Sequence, residues 1–274
     1  MKSPLTEFSL AGKSVVVTGA GKGIGRAIAL VLAEAGADVA IAARTESDLD
    51  EVAGQIRGLG RRSLVVPTDV SSSSEVDRMV QSVLDEFGQI DVLVNNAGFN
   101  LRLPLVPPPG GLPEGLRMSR TPDHPITDTE WDGLMATNVN GVMYGCRAVA
   151  PHMLERGSGK IINVSSVQGK RAMPNTIAYS VSKAAVNMLT RVLALEWASH
   201  GVQVNAICPG AYETEMSGDQ WQVPEKAERA AATIPMGRPG NLRELGSLAV
   251  YLASAASDYM TGQAVYIDGG ISAL

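Results

Sequence analysis

A doubly wound parallel α/β fold, three layers in a single domain spanning 1–274, is predicted here by three observations. Short apolar, β-branched runs alternate with segments of helical periodicity along most of the chain. A glycine-rich turn, Gly19-Ala20-Gly21-Lys22-Gly23-Ile24-Gly25, closes the first such run and opens the first helical segment. The 274 residues, 45% apolar and 19% charged, suffice for one substantial core and require no second domain.

Taken in order, strands are expected near 14–17, 38–42, 63–66, 91–94, 160–164, 202–207 and 264–267, with helices between most of them. Runs such as Val92-Leu93-Val94 and Ile161-Ile162-Asn163-Val164 are dominated by apolar residues rather than alternating, the mark of strands covered on both faces. Two long helices are expected near 129–155 and 178–198. Ligands of such sheets gather at the carboxyl ends of the strands. The glycine turn, Asp69, Asn95, Ser166 and Pro209 all fall just past strand runs, which predicts one shared crevice. Two segments break the alternation. Residues 99–125 carry seven prolines from Pro104 to Pro125 and form a loop, and residues 211–238 place Tyr212, Met216, Trp221, Val223 and Met236 among charges.

Composition excludes several classes. A formal charge of -5 and a pI near 5.3 argue against a nucleic-acid partner, which calls for a basic face. Cys146 and Cys208 are too few and too far apart for a disulfide framework. His124, His152 and His200 lack ligand spacing, so no metal is expected. The first residues lack the apolar stretch of a signal peptide and no run is long enough to cross a bilayer, which makes the cytoplasm the expected compartment.

Chemistry is suggested by Tyr179 and Lys183, four residues apart on one helical face, with Ser165 and Ser166 ending an upstream strand. A cation one turn from a phenol favours the phenolate, so the Tyr179 pKa is expected to fall from about 10 toward a working pH. In the glycine turn, Gly19, Gly23 and Gly25 follow G-x-x-x-G-x-G spacing and leave free amides at a helix start for a pyrophosphate.

With those motifs in place, the chain resembles the short-chain dehydrogenase/reductase family, which has the Rossmann fold, from about Leu10 to Ile271. Thr18-Gly19 through Gly25 resembles its cofactor turn, Asp69-Val70 its adenine contact, and Asn95-Asn96-Ala97-Gly98 its strand-end signature. Asn138, Ser166, Tyr179 and Lys183 resemble its catalytic tetrad, followed by Pro209-Gly210 and Thr214. Ser166 is assigned over Ser165 because it lies thirteen residues before Tyr179, the family's interval.

The resemblance implies reversible hydride transfer between nicotinamide C4 and a small-molecule ketone or secondary alcohol. Tyr179 would be the general acid/base, Ser166 would hold the substrate oxygen, and Lys183 would contact the nicotinamide ribose. Asn138 would hold a water that links Lys183 to solvent. Gly21, Ile24, Asn95, Ala97 and Gly98 would line the cofactor, and Thr214 would meet its carboxamide. The acid that selects NAD(H) is absent at Ala43, while Arg44 and Lys22 could flank a 2′-phosphate, so NADP(H) is expected over NAD(H).

A 3-oxoacyl thioester reductase is the alternative within the family; it would need a basic patch for an acyl carrier, with Arg147, Arg156 and Lys160 as candidates. A non-catalytic cofactor-binding regulator is the alternative of another class. The resemblance also implies a homo-oligomer, a tetramer or a dimer, built through the two long helices and the last strand, where Ala178, Ser182 and Ala185 would allow close approach. Residues 99–125 exceed the family's usual length by roughly a dozen residues. They are expected to wall the substrate entrance with Arg102, Leu103, Leu105, Arg117 and Met118, and 211–238 to be the substrate lid.

Overall fold

The computed structural model describes residues 5–113 and 124–274; the expectations for Arg117 and Met118 lie outside them. Strands β1 (Ser14–Thr18), β2 (Asp38–Ala43) and β3 (Ser63–Pro67) alternate with helices α1 (Gly23–Glu34), α2 (Glu46–Gly58) and α3 (Ser73–Phe87). After β4 (Val92–Asn95) come α4 (Asp128–Met135), α5 (Gly141–Arg156), β5 (Gly159–Val164), α6 (Ile177–Trp197) and β6 (Val202–Pro209). The chain ends through α7 (Pro224–Ala232), α8 (Leu242–Ala253) and β7 (Ala264–Ile267).

All seven strands pair in parallel in the order β3-β2-β1-β4-β5-β6-β7. The order reverses between β1 and β4, and the crevice opens beyond their carboxyl ends at that switch point. The central strands β1 and β4 are buried throughout because apolar layers cover both sheet faces. On one face α1, α2 and α8 pack Ile28, Leu32, Leu49, Ile56 and Leu245 against the sheet; on the other, α3, α5 and α6 pack Met79, Val83, Val149, Met153 and Val186.

The expected single helix at 129–155 is interrupted. A capping box of Thr127 with Glu130 starts α4, and a π-helical turn at Ala136–Asn140 then joins α4 to α5. The wider turn carries Asn138, fully buried, at the back of the crevice. A small third cluster, with Leu134, Ala178 and Tyr179 packed by Phe99, Leu101, Ile126 and Trp131, seats the start of α6 beside the segment that follows β4.

Candidate active site

The cofactor side is shaped by missing side chains. Gly19 has φ +64°, and a Cβ there would lie 2.8 Å from the Ala97 Cα. At Gly25 a Cβ would overlap the Gly19 carbonyl and the Asn96 amide, so the turn folds flat against the chain leaving β4. Asn96, which is not among the sequence-predicted site residues, fixes that contact: its Nδ2 donates to the carbonyls of Thr18 (2.9 Å) and Gly19 (3.1 Å), and its N–H to Thr18 Oγ1. Lys22 precedes α1 without a side-chain cap, which leaves the first amides of the helix for an anion. A dinucleotide pyrophosphate therefore fits the residues present. The segment after β6 reaches the same place, with Thr214 Cγ2 and Glu215 Oε2 each 3.4 Å from where a Gly23 Cβ would be.

Several predicted cofactor residues face elsewhere. Asn95 points beneath the sheet, donating to Asn163 Oδ1 at 2.9 Å, and Asn163 in turn donates to Thr190; with a partner already in the core, the Asn95 side chain does not line the crevice. The Val70 side chain is buried against Gly141. Asp69 accepts from the Ser71 N–H and hydroxyl, bonds that hold its carboxyl below the usual range despite partial burial, with Arg44 adding a nearby positive charge. Lys22 does not stand free beside Arg44: its Nζ is 3.0 Å from Asp48 Oδ2 on α2. Ala97 and Gly98 remain at the crevice, and Gly210, following Pro209, donates to the Ile267 carbonyl and packs on Asp268.

Tyr179, Ser166, Lys183 and Asn138 converge at the ends of β4 and β5. Ser166 ends the extended chain after β5, where its Oγ accepts from the Gln168 N–H at 3.1 Å and lies on the side of the Tyr179 phenol. Lys183 Nζ donates to the Val164 carbonyl at 2.8 Å and lies 5.6 Å from the Tyr179 ring centroid. A Cβ on Gly98 would stand 3.0 Å from Asn138 Oδ1 and 3.5 Å from Lys183 Nζ, so glycine keeps this corner open.

The expectation that Lys183 draws the Tyr179 pKa down is corrected. Burial pushes the phenol up, and the neighbouring Ser166 hydroxyl opposes that shift. Burial also draws Lys183 down to about 8, because its ammonium has left water for a site where none of the described residues offers it a carboxylate. The Asn138 side chain is bonded within the chain. Its Oδ1 accepts from the Phe99 N–H (3.0 Å), and its Nδ2 donates to the Phe99 carbonyl (2.9 Å) and Ser182 Oγ (3.2 Å). Those bonds brace the Gly98-Phe99 segment.

On the substrate side, Leu103 bridges Thr176 and is buried, while Arg102 is exposed. Pro104, Leu105, Val106, Pro108 and Leu112 line an open cavity of about 340 Å3 with Met173, Pro174, Ile177 and Val181. Two buried polar atoms, Asn100 Oδ1 just past the Asn95–Gly98 strand end and Trp221 Nε1 in the segment after β6, lack hydrogen-bond partners. No sequence pattern marks them, since an orphaned atom is a property of packing. Each cation of the supposed carrier patch is held within the chain: Arg147 by Ser73 and the Tyr144 ring, Arg156 by Asp91, Lys160 by Asp258. Among the described residues there is no cluster able to hold a metal ion and no helix long and apolar enough to cross a membrane.

A doubly wound sheet with a glycine turn at its switch point and a Ser-Tyr-Lys set beside it defines a nicotinamide-dependent oxidoreductase. Known proteins carry this further. Residues 19–272 match a family model described as enoyl-(acyl carrier protein) reductase. Gluconate 5-dehydrogenase of Gluconobacter oxydans is 37% identical over 265 residues, 97% of this chain and 96% of its own length. A 3-oxoacyl-(acyl-carrier-protein) reductase of Thermotoga maritima is 36% identical, over 96% of this chain and 98% of its own. The crystal structure of a gluconate 5-dehydrogenase from Burkholderia cenocepacia in complex with NADP and tartrate superposes with a TM-score of 0.87 at 36% identity, covering 98% of each chain. The chain belongs to the short-chain dehydrogenase/reductase family of oxidoreductases.

Proposed function

We propose that this chain is an NADPH-preferring oxidoreductase that reversibly reduces the ketone of a polyhydroxylated small molecule, a keto sugar or sugar acid, with Tyr179 as general acid/base. The observation that carries the chemistry is the buried Tyr179 phenol, with buried Ser166 beside it and the Lys183 ammonium 5.6 Å from its ring centroid. When bound, the nicotinamide supplies or accepts the hydride. Tyr179, kept neutral by burial, donates its proton to the substrate oxygen in the direction of reduction and takes it back in oxidation. Ser166 Oγ holds that oxygen and meets the charge that develops on it with a fixed donor. Lys183 is placed to hold ribose hydroxyls, and Asn138 positions the segment that lines the corner. Gly19, Gly21, Gly23, Ile24, Ala97, Gly98, Gly210 and Thr214 are the cofactor contacts we assign, with Arg44 directed at a 2′-phosphate.

The polyhydroxylated substrate is supported by the orphaned Asn100 Oδ1 and Trp221 Nε1, which substrate hydroxyls would satisfy, and by the names of the gluconate-acting relatives. A thioester reductase is the second reading, favoured by the apolar cavity beneath Leu105 and Val106 and weakened by the engaged cations. A regulator without turnover has no use for the complete tetrad. Assembly into an oligomer is part of the proposal: Val181, Met188, Val192 and Leu195 form one exposed apolar stripe along α6.

The test is NADPH oxidation, followed by the absorbance of the reduced nicotinamide, with keto-gluconates, ketoses, cyclic ketones and an acetoacetyl thioester, Tyr179→Phe running in parallel. Turnover of a keto sugar acid that is lost in the variant is the expected result. Turnover of the thioester alone would transfer the assignment to the second reading, and NADPH binding without turnover of any substrate would favour the regulator.

A further inference from the structure

We propose that Asp48 is a cofactor-selectivity residue, a carboxylate delivered from α2 to the corner where β2 carries none. The inference rests on the reading of Arg44 as the 2′-phosphate contact and deepens it. At the end of β2 the acid-bearing position is Ala43, followed by exposed Arg44. The chain then turns through Thr45 into α2, whose third residue is Asp48. Its Cβ lies 3.0 Å from where a Gly21 Cβ would be, so the carboxylate rests directly on the glycine turn. Oδ2 pairs with Lys22 Nζ at 3.0 Å, and the carboxylate is only 25% exposed.

Two cations and one anion thus meet at this corner. A ribose 2′-hydroxyl finds in Asp48 an acceptor. A 2′-phosphate finds Arg44 and Lys22, but Lys22 is already partnered and the Asp48 charge repels the incoming dianion. Asp48 therefore moderates the preference for NADP(H) and keeps NAD(H) usable. One turn further along α2, Glu51 makes the analogous pair with Arg26 at 2.6 Å, beyond the glycine turn. That second rung is an internal control, because it ties α1 to α2 in the same way without reaching the corner.

The experiment is a titration of the cofactor-free protein with NADP+ and NAD+, read by calorimetry, for wild type, Asp48→Asn and Glu51→Gln. Asp48→Asn is expected to raise the ratio of NADP+ to NAD+ affinity about five- to tenfold at low salt, with the gain shrinking as ionic strength rises. Glu51→Gln is expected to leave the ratio unchanged. An unchanged ratio in Asp48→Asn, or an equal rise in Glu51→Gln, would overturn the proposal and leave Asp48 as a clasp between helices. Arg44→Ala is the separate check on the underlying reading: if it leaves NADP+ affinity untouched, the phosphate lies elsewhere, whatever Asp48 does.

Discussion

On the cofactor side of the crevice, Gly19, Gly25 and Asn96 meet at contacts so close that no Cβ fits at either glycine. Across from it, on the substrate side, Leu105 and Val106 are 59% and 74% exposed, a cavity separates the insertion from α6, and Asn100 and Trp221 hold polar atoms with no partner. One wall has its polar groups paired within the chain; on the other, under the proposed function, the substrate supplies the missing partners. A shared cofactor permits a rigid, fully satisfied cradle, whereas substrate choice is written in groups that are costly to bury alone.

The largest effect that would break this contrast is expected at Gly25. Gly25→Ala forces a methyl into the Gly19 carbonyl and the Asn96 amide, backbone and a bonded side chain that cannot yield without opening the turn. Overpacking of this kind costs about 3 kcal/mol, and a calorimetric scan should show a melting temperature lowered by several degrees together with loss of cofactor binding. Wild-type binding in Gly25→Ala would mean that the cofactor wall is as tolerant as the substrate wall.

A smaller effect is expected across the crevice. Replacing both Leu105 and Val106 with Ser removes apolar walls that are already exposed, so stability should hold while KM shifts several-fold for some substrates and kcat changes little. Steady-state kinetics on two substrates of different size would measure it. Unchanged KM values for both would assign the insertion to another role, and an altered mass in solution would show that role to be subunit contact.

How much of this was legible in the sequence follows from the same contrast. The strand runs and the glycine turn were readable because each is a local pattern with a physical reason, whereas the interval from Ser166 to Tyr179 was readable only through the family resemblance. The π-helical turn at Ala136–Asn140 was not, since its wider winding is imposed by the bonds of Asn138 to Phe99, thirty-nine residues away. Asp48 escaped notice for a related reason. Its acid belongs to α2 by sequence and to the α1 turn only after the sheet forms. Tyr179 misled in the opposite way: helical spacing placed Lys183 near it, but spacing carries no information about burial, and burial governs both groups.

That correction yields the smallest and sharpest of the predictions. Lys183 in the folded, cofactor-free protein titrates near 8, below its unfolded value of 10.5. Between those values the unfolded chain binds the extra proton and the folded chain does not, so this residue makes the protein less stable as pH falls through the window and relieves that cost as pH rises. Below about 8 the buried ammonium remains charged, and its desolvation cost is fully present. Lys183→Met removes the cost at every pH. The melting temperature of the variant relative to wild type should therefore be highest near neutrality and decline as pH approaches 10. Cofactor should abolish that trend in wild type if ribose hydroxyls accept hydrogen bonds from the ammonium, because the charged form then gains partners. A difference between the two proteins that does not vary with pH would show that Lys183 keeps an ordinary pKa, and the satisfied character of the cofactor wall would then extend to the tetrad itself.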